Sequence, residues 1–198
     1  MSEKASPNDG PAVAVVELSS IARAFPVTDA MVKRAPSMLW RTHTISPGRF
    51  LIILKGGVAE VEESLLAGID AGDTFVIDHV FLPNAEPQIL SCLMSPPKGL
   101  VAEALGIIET THCAAAVRSA DAALKGAEVR LAHIHLGQGI GGKGIYAFTG
   151  ALHDVQAALA EGFSAAGEGF VLTCEEIPAP HGAMTLSMLG MGSASPDY

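Results

Sequence analysis

The residues with the clearest potential for chemistry form a glycine-rich run in the second half of the chain. The run Gly137-Gln138-Gly139-Ile140-Gly141-Gly142-Lys143-Gly144 satisfies GxGxxG and the first seven positions of the phosphate-binding pattern GxxxxGK[ST]. Both patterns hold phosphate at the N-terminus of a helix that follows the loop directly. Residues 145–149 instead have the pattern of a strand, and Gly144 replaces the hydroxyl side chain that would bind magnesium. We therefore expect a hairpin loop here, which disfavours a nucleotide-using enzyme.

Three further groups of residues could support catalysis or metal binding. His133 and His135 lie two apart on a predicted strand, so their side chains project to one face and could share a metal. His112-Cys113 could pair a base with a nucleophile, and Glu17 and Glu109 could be catalytic carboxylates. No spacing supplies the further ligand, acid or nucleophile that such sites need. We therefore expect no catalytic residue and no metal site. His133 and His135 are expected on a half-exposed strand face or at a subunit contact. Glu17 and Glu109 are expected to accept backbone hydrogen bonds near the turn between strand and helix.

The elements that carry these residues occur twice. Shifted by 92 residues, positions 12–35 match positions 104–127 at eight of 24 places, and the match resumes at a shift of 94 for positions 48–68 and of 95 for positions 75–83. The first stretch pairs Ala12 with Ala104, Glu17 with Glu109, Ala22 with Ala114, Ala24 with Ala116, Asp29 with Asp121, Ala30 with Ala122, Lys33 with Lys125, and Ala35 with Ala127. The chain is therefore two copies of one unit of about 80 residues.

Each copy has the same order of predicted elements. The apolar patterns predict strands at Ala12–Leu18, Met38–Ile45, Phe50–Lys55 and Phe75–Leu82, and at Leu105–Glu109, Val129–Leu136, Ile145–Thr149 and Phe170–Ile177. A helix follows the first strand, with Pro26 in its first turn and its end before Pro36. A second helix follows the third strand, where apolar residues recur every three or four positions from Val58 and from Leu152. The β-α-β-β-α-β order predicts an α+β fold: two tandem ferredoxin-like domains, each a four-stranded antiparallel sheet with helices on one face.

The repeat also sets the predicted domain boundaries. They are a tail at 1–10, a first domain at 11–86, a linker at 87–103, a second domain at 104–182 and a tail at 183–198. The polar N-terminus has no basic segment followed by an apolar core, and no apolar run approaches the length of about 18 residues needed to span a membrane. We therefore expect a soluble, cytoplasmic protein without a membrane partner.

The charge composition points to protein partners. With 12 Lys and Arg against 21 Asp and Glu, the net charge is −9, which disfavours a nucleic-acid surface because such a surface needs a basic patch. Charged residues make up 17% of the chain, below the roughly 25% usual in soluble domains. We therefore expect much of the surface to be buried against other protein chains.

Several segments, taken together, resemble the bacterial microcompartment (BMC) shell domain. They are Ala104-Leu105-Gly106-Ile107-Ile108-Glu109-Thr110, Asp121-Ala122-Ala123-Leu124-Lys125, the Gly-Gly-Lys loop and Ile177-Pro178-Ala179-Pro180-His181. Two copies in one chain resemble the tandem-domain shell proteins, and Ser19–Ala22 with Ile45–Phe50 is most similar to those of propanediol-utilisation compartments. The resemblance implies a structural protein without enzymatic activity. It also implies a homotrimer whose six domains form a flat pseudohexameric tile, with a central pore for small polar metabolites and edges that contact other shell proteins.

The resemblance also implies roles for particular residues. The pore-lining residues would be Ile45, Ser46, Pro47, Gly48, Gly139, Ile140, Gly141 and Gly142. Arg49 and Lys143 would lie near the pore, where they either favour anions or pair with local carboxylates. The pairs Asp29–Lys33 and Asp121–Lys125 would lie at the tile edge, although Ala179 replaces the arginine of the family's Pro-Arg-Pro-His ending.

Two questions of function remain open in the sequence. Some relatives carry Cys at the position of Ser46 and bind an iron–sulfur cluster there; because serine is a poor cluster ligand, we expect no cofactor. The alternative function is that of a soluble tandem α+β regulatory protein that binds a small molecule, since this scaffold also serves that purpose.

Overall fold

A computed structural model describes residues 10–97 and 103–184 and contains two α+β domains. The first contains β1 (Ala12–Leu18), α1 (Ile21–Arg34), β2 (Met38–Ile45), β3 (Arg49–Gly56), α2 (Val58–Gly72) and β4 (Val76–Leu82). Helix α3 (Pro87–Met94) follows. The second contains β5 (Ala104–Thr110), α4 (Cys113–Gly126), β6 (Arg130–Leu136), β7 (Gly144–Gly150), α5 (Leu152–Ala166) and β8 (Val171–Pro178). The predicted fold class is confirmed.

The two sheets have the same topology and the same irregularity. Their strand orders are β2-β3-β1-β4 and β6-β7-β5-β8, and all neighbours are antiparallel. In each sheet the register with the last strand shifts directly after the glutamate of the first strand, Glu17 or Glu109. Each glutamate therefore occupies the same structural position in its own domain.

The core of the protein extends across both domains. Ala14, Val16 and the other inward residues of β1 pack with α1 and α2 of their own domain. The opposite face of β1, with Val13 and Val15, belongs to a cluster that includes the second domain, because α4 packs on β1 and β4. The first sheet is thus covered on one face by its own helices and on the other by the neighbouring domain.

Two local features differ from the expectations. Helix α1 begins at Ile21 because the Ser20 side chain accepts a hydrogen bond of 3.3 Å from the Arg23 N–H, which caps the helix. The expectation that Pro26 lies in the first turn is therefore wrong; Pro26 is inside the helix and cannot donate to the Ala22 carbonyl. Residues 87–94 of the predicted linker form α3, which packs on β6 through a 3.0 Å hydrogen bond from the Leu131 N–H to the Gln88 side chain.

Other predictions concern residues outside the described ranges. Most of both predicted tails, 1–9 and 185–198, lies there, as do residues 98–102 of the predicted linker. Within residues 10–97 and 103–184, no helix is long and apolar enough to cross a membrane.

A buried carboxylate joins the two domains. Glu17 in β1 has no exposed surface and accepts a 2.8 Å hydrogen bond from the backbone N–H of Cys113, the first residue of α4. It also accepts a 3.0 Å bond from Arg49 at the start of β3. A carboxylate at a helix N-terminus satisfies a donor that has no partner within the helix and interacts favourably with the helix dipole. The role expected for Glu17 is therefore present, but the helix that it caps belongs to the other domain.

We predict that Glu17→Ala lowers the free energy of unfolding by about 3 kcal/mol, because it leaves a buried N–H unpaired and removes the partner of Arg49. Glu17→Gln keeps an acceptor for the Cys113 N–H, and we expect it to cost only about 1 kcal/mol. Urea denaturation followed by circular dichroism measures both. Equal losses for the two variants would contradict a capping role.

Candidate functional site

The two hairpins that contain the predicted pore residues lie side by side in one chain. The first turn, residues 46–48, joins β2 to β3, and the second, residues 137–143, joins β6 to β7. A Cβ atom built on Gly142 would lie 2.5 Å from the Ser46 carbonyl oxygen, and one built on Gly137 would lie 2.7 Å from the Ile45 Cβ. The backbones of the two hairpins are therefore in close contact, and the glycine run is a hairpin loop without a helix after it.

The predicted pore residues differ in exposure. Pro47, Gly48, Gly139 and Gly141 are exposed at the tips of the hairpins. Ser46 and Ile140 are half-buried, whereas Ile45 and Gly142 are buried between the hairpins. That these eight residues line a pore stays a prediction. The four exposed residues at the hairpin tips are the ones that can face a central axis.

Both cations near the hairpins are paired with carboxylates. Arg49 Nη1 lies 3.0 Å from Glu17 Oε1, and Lys143 Nζ lies 2.8 Å from Glu109 Oε1. These are the same pair in the two copies, because the shifts of 92 and 94 residues align Glu17 with Glu109 and Arg49 with Lys143. The structure therefore shows the local-pairing alternative for both residues, which removes much of the positive charge that would favour anions.

Burial controls the titration of the groups beneath the hairpins. It raises the pKa of Glu17, although the Cys113 N–H and Arg49 oppose the shift. Burial also raises the pKa of the Cys113 thiol well above its usual range, and the nearby Glu17 carboxylate adds to the effect. The Cys113 Sγ lies 3.7 Å from the Gly142 carbonyl oxygen, while the His112 Nδ1 lies 2.9 Å from the Thr111 hydroxyl. Cys113 is thus a protonated packing residue and lacks the properties of a nucleophile.

The histidines of β2 and β6 surround a cavity between the two domains. The rings of His133 and His135 are stacked with centroids 6.3 Å apart, and both residues line a cavity of about 140 Å³ together with His43 and Cys92. Burial lowers the pKa of His43 and of His133. Within the described residues, no three His, Cys, Asp or Glu side chains are placed to hold a metal ion.

The two predicted edge pairs have different surroundings. Lys33 lies 2.6 Å from Asp29, and both side chains are more than half exposed. Lys125 also lies 2.6 Å from Asp121, but its ammonium group donates to the Asn84 carbonyl of the first domain as well. Asp121 accepts a further 2.8 Å hydrogen bond from the Glu86 N–H. The second pair therefore stabilises the contact between the domains. Residue types did not indicate this role, because Asn84 and Glu86 contribute only backbone atoms.

A family model described as the BMC domain matches residues 12–85 and again residues 104–180. The chain belongs to the BMC domain family. Each match covers one of the two sheets with its helices, so each domain of this BMC protein is one copy of the family's unit.

Known relatives of this BMC protein are shell proteins. It is 34% identical over 179 residues to the bacterial microcompartment shell protein PduT of Citrobacter freundii, covering 90% of this chain and 97% of the relative. It is 35% identical over 82 residues to the carboxysome shell protein CcmK3 of Halothece sp., covering 39% of this chain and 80% of the relative.

Two solved structures have a similar fold. The crystal structure of a microcompartment protein from Desulfitobacterium hafniense DCB superposes with a TM-score of 0.77 at 35% identity, covering 87% of this chain and 97% of that one. The fused permuted hexameric shell protein MSM0275 superposes with a TM-score of 0.60 over 78% of this chain and 83% of that one. At 18% identity, the second comparison shows the fold alone.

We predict that Gly142→Ala destabilises the protein more than Gly139→Ala. Both glycines have a positive φ, 78° and 73°, so each substitution costs about 1 kcal/mol in backbone strain. Only at Gly142 would the new Cβ also meet the Ser46 carbonyl oxygen, because nothing lies within 4 Å at Gly139. Thermal denaturation of the two variants measures the difference. Equal losses would show that the hairpins are not in contact.

Proposed function

We propose that the protein is a structural shell protein of a bacterial microcompartment, which forms a flat pseudohexameric tile from three chains. The observation that carries this proposal is the packing of two BMC domains side by side, with both hairpins adjacent. The similarity to PduT over 90% of the chain supports the shell role. It disfavours a soluble small-molecule regulator and gives no support to an enzymatic role.

Three chains supply six domains, the number in a hexameric tile. Within one chain, α4 of the second domain covers the first sheet, so the two halves of the contact lie on different domains. A contact of this head-to-tail kind generates a closed ring when its rotation closes. In such a ring the two hairpins of each chain alternate around the axis.

The central pore would pass small polar metabolites. The half-buried Ser46 and the exposed glycines 139 and 141 offer a hydroxyl and backbone groups at the hairpin tips. Since Arg49 and Lys143 are already paired with Glu17 and Glu109, the pore would have no strong preference for anions. Its selectivity would then depend on width and hydrogen bonding more than on charge.

An iron–sulfur cluster does not fit the residues at this position. Ser46 offers a hydroxyl group, whereas clusters are held by thiolates. Cys113 is the cysteine beneath the hairpins, and its buried thiol has a strongly raised pKa and hydrogen-bonds to the Gly142 carbonyl. We therefore propose a pore without a cofactor.

Other shell proteins would contact the tile at its edges. Lys33 is the more exposed of the two edge lysines, with 73% of its side chain accessible, and its described partner is Asp29, whose side chain is 58% accessible. It can therefore reach a neighbouring tile, whereas Lys125 is held by Asp121 and Asn84.

We predict that the purified protein sediments with the mass of three chains and forms flat sheets visible by negative-stain electron microscopy at high concentration.

Lys33→Ala should keep the trimer, because an exposed ion pair contributes only about 0.2–1 kcal/mol, but should form fewer sheets. Arg130→Ala removes an exposed cation on β6 and is the control. A protein that stays a monomer or dimer at every concentration would overturn the proposed function. Sheets undiminished in Lys33→Ala would contradict only the edge assignment.

We predict that the protein shows no visible-range absorbance from a bound iron–sulfur cluster after incubation with ferrous iron, sulfide and a thiol reductant and removal of unbound iron, because Ser46 offers no thiolate. Ser46→Cys supplies three thiolates around the proposed axis and should acquire such absorbance under the same treatment. A brown wild-type protein with stoichiometric iron and sulfide would refute the proposal of a pore without a cofactor.

A further inference from the structure

We infer that the outer face of the second sheet binds helix α1 of a second copy of this chain, with Glu109 accepting a hydrogen bond from the backbone N–H of the partner subunit's Ile21. This inference rests on the proposed assembly of the tile, and it names the two surfaces that form the contact between chains. Both surfaces are present on every copy, so the contact is head to tail.

The contact inside the chain supplies the template. There, α4 packs on β1 and β4, and Glu17 accepts the N–H of Cys113 at a distance of 2.8 Å. Val15 and Leu51 of the first sheet belong to the same buried cluster as Val117 of α4. The contact therefore combines one capped helix N-terminus with an apolar helix face on an apolar sheet.

Helix α1 has the same apolar face as α4, but in the single chain that face is exposed. At the 92-residue shift, Ile21, Phe25 and Val32 correspond to Cys113, Val117 and Leu124. The exposed fractions are 37%, 69% and 41% in α1 against 0%, 1% and 7% in α4. Positions 21, 25 and 32 lie on one side of a helix, since four and eleven residues are close to whole numbers of turns. Three large apolar side chains are thus left without the cover that their counterparts have.

The second sheet offers the complementary surface. Ile107 and Ile145 are only half-buried, whereas their counterparts Val15 and Leu51 are fully buried under α4. Glu109 lies at the position of Glu17, directly before the register shift and opposite Ile145, as Glu17 is opposite Leu51. Its side chain is 27% exposed and has Lys143 beside it, as Glu17 has Arg49. The sheet therefore presents an apolar surface with a carboxylate at the place where a helix would begin.

The donor and the acceptor of the missing hydrogen bond are both available. Ile21 is the first residue of α1, and among residues 10–97 and 103–184 none accepts a hydrogen bond from its N–H. Such first-turn donors need a partner outside the helix. Glu109 Oε1 binds Lys143, which leaves the other carboxylate oxygen for the partner subunit's Ile21. Glu17 uses its two oxygens in this same way, one for Arg49 and one for Cys113.

One ion pair of the internal contact is not repeated. Arg118 lies 3.5 Å from Asp78, and it donates to the His79 carbonyl across the two domains. The corresponding residues are Pro26 and Thr173, neither of which is charged. The contact between chains would thus depend more on Phe25 and Glu109, and it would be weaker than the contact between the two domains.

Two substitutions test the two halves of the contact. Phe25→Glu places a charge on the apolar face of α1, and Phe163→Glu is its matched control, because Phe163 is a similarly exposed residue of α5. Glu109→Ala removes the acceptor, whereas Glu109→Gln retains one. Sedimentation equilibrium gives the association constant of each variant, and circular dichroism with urea denaturation confirms that each is folded.

We expect Phe25→Glu and Glu109→Ala each to weaken association by about tenfold or more, with Phe163→Glu unchanged and Glu109→Gln affected less than Glu109→Ala. If the wild type forms trimers and Phe25→Glu associates equally tightly, this contact is wrong although the proposed function stands. If the wild type does not associate at any concentration, the proposed assembly itself fails.

Discussion

The structure depends on the burial of the Glu17 carboxylate between the two domains. A charged group without exposed surface is costly unless it is paired, and here Arg49 and the first N–H of α4 are its partners. These partners fix where α4 begins on the first sheet. The position of α4 in turn places β6, β7 and their hairpin against the hairpin of the first domain. The relative position of the two predicted pore loops therefore follows from one carboxylate beneath them.

The same sequence unit fulfils different roles in its two copies. In the first copy the glutamate is buried and the sheet is covered, whereas in the second Glu109 is partly exposed beside Lys143. Conversely, α4 is buried between two sheets and is rich in alanine, while α1 carries Phe25 and Ile21 on its exposed side. Within one chain, the contact between a helix and a neighbouring sheet forms once, between α4 and the first sheet. The outer side of α1 and the outer face of the second sheet are left without this contact. This asymmetry supports the proposal that the chain assembles with copies of itself.

Much of the fold could be predicted from local patterns. The predicted strand Met38–Ile45 agrees with β2, and the glycine run is a hairpin because strand-forming residues follow it. Predictions failed where a local signal competed with a cap or a tertiary contact. Ser20 caps α1 so that the helix begins at Ile21, which places Pro26 beyond the first turn where it was expected. The segment that begins at Pro87 was expected to be a linker, but it is a helix that packs on β6.

The division into two copies of one unit, the order of the elements and the positions of the turns could be predicted from residue types alone. A repeat is visible when the chain is compared with itself, and helix and strand periodicities depend on residues that are close in sequence. The partners of charged side chains such as Glu17 and Lys125 depend instead on the packing of the two domains. Glu17 and Cys113 are 96 residues apart, and Lys125 binds a backbone carbonyl of the first domain, a group that every residue carries. No pattern of residue types marks such an acceptor. The partners therefore became visible only once the two domains were packed together.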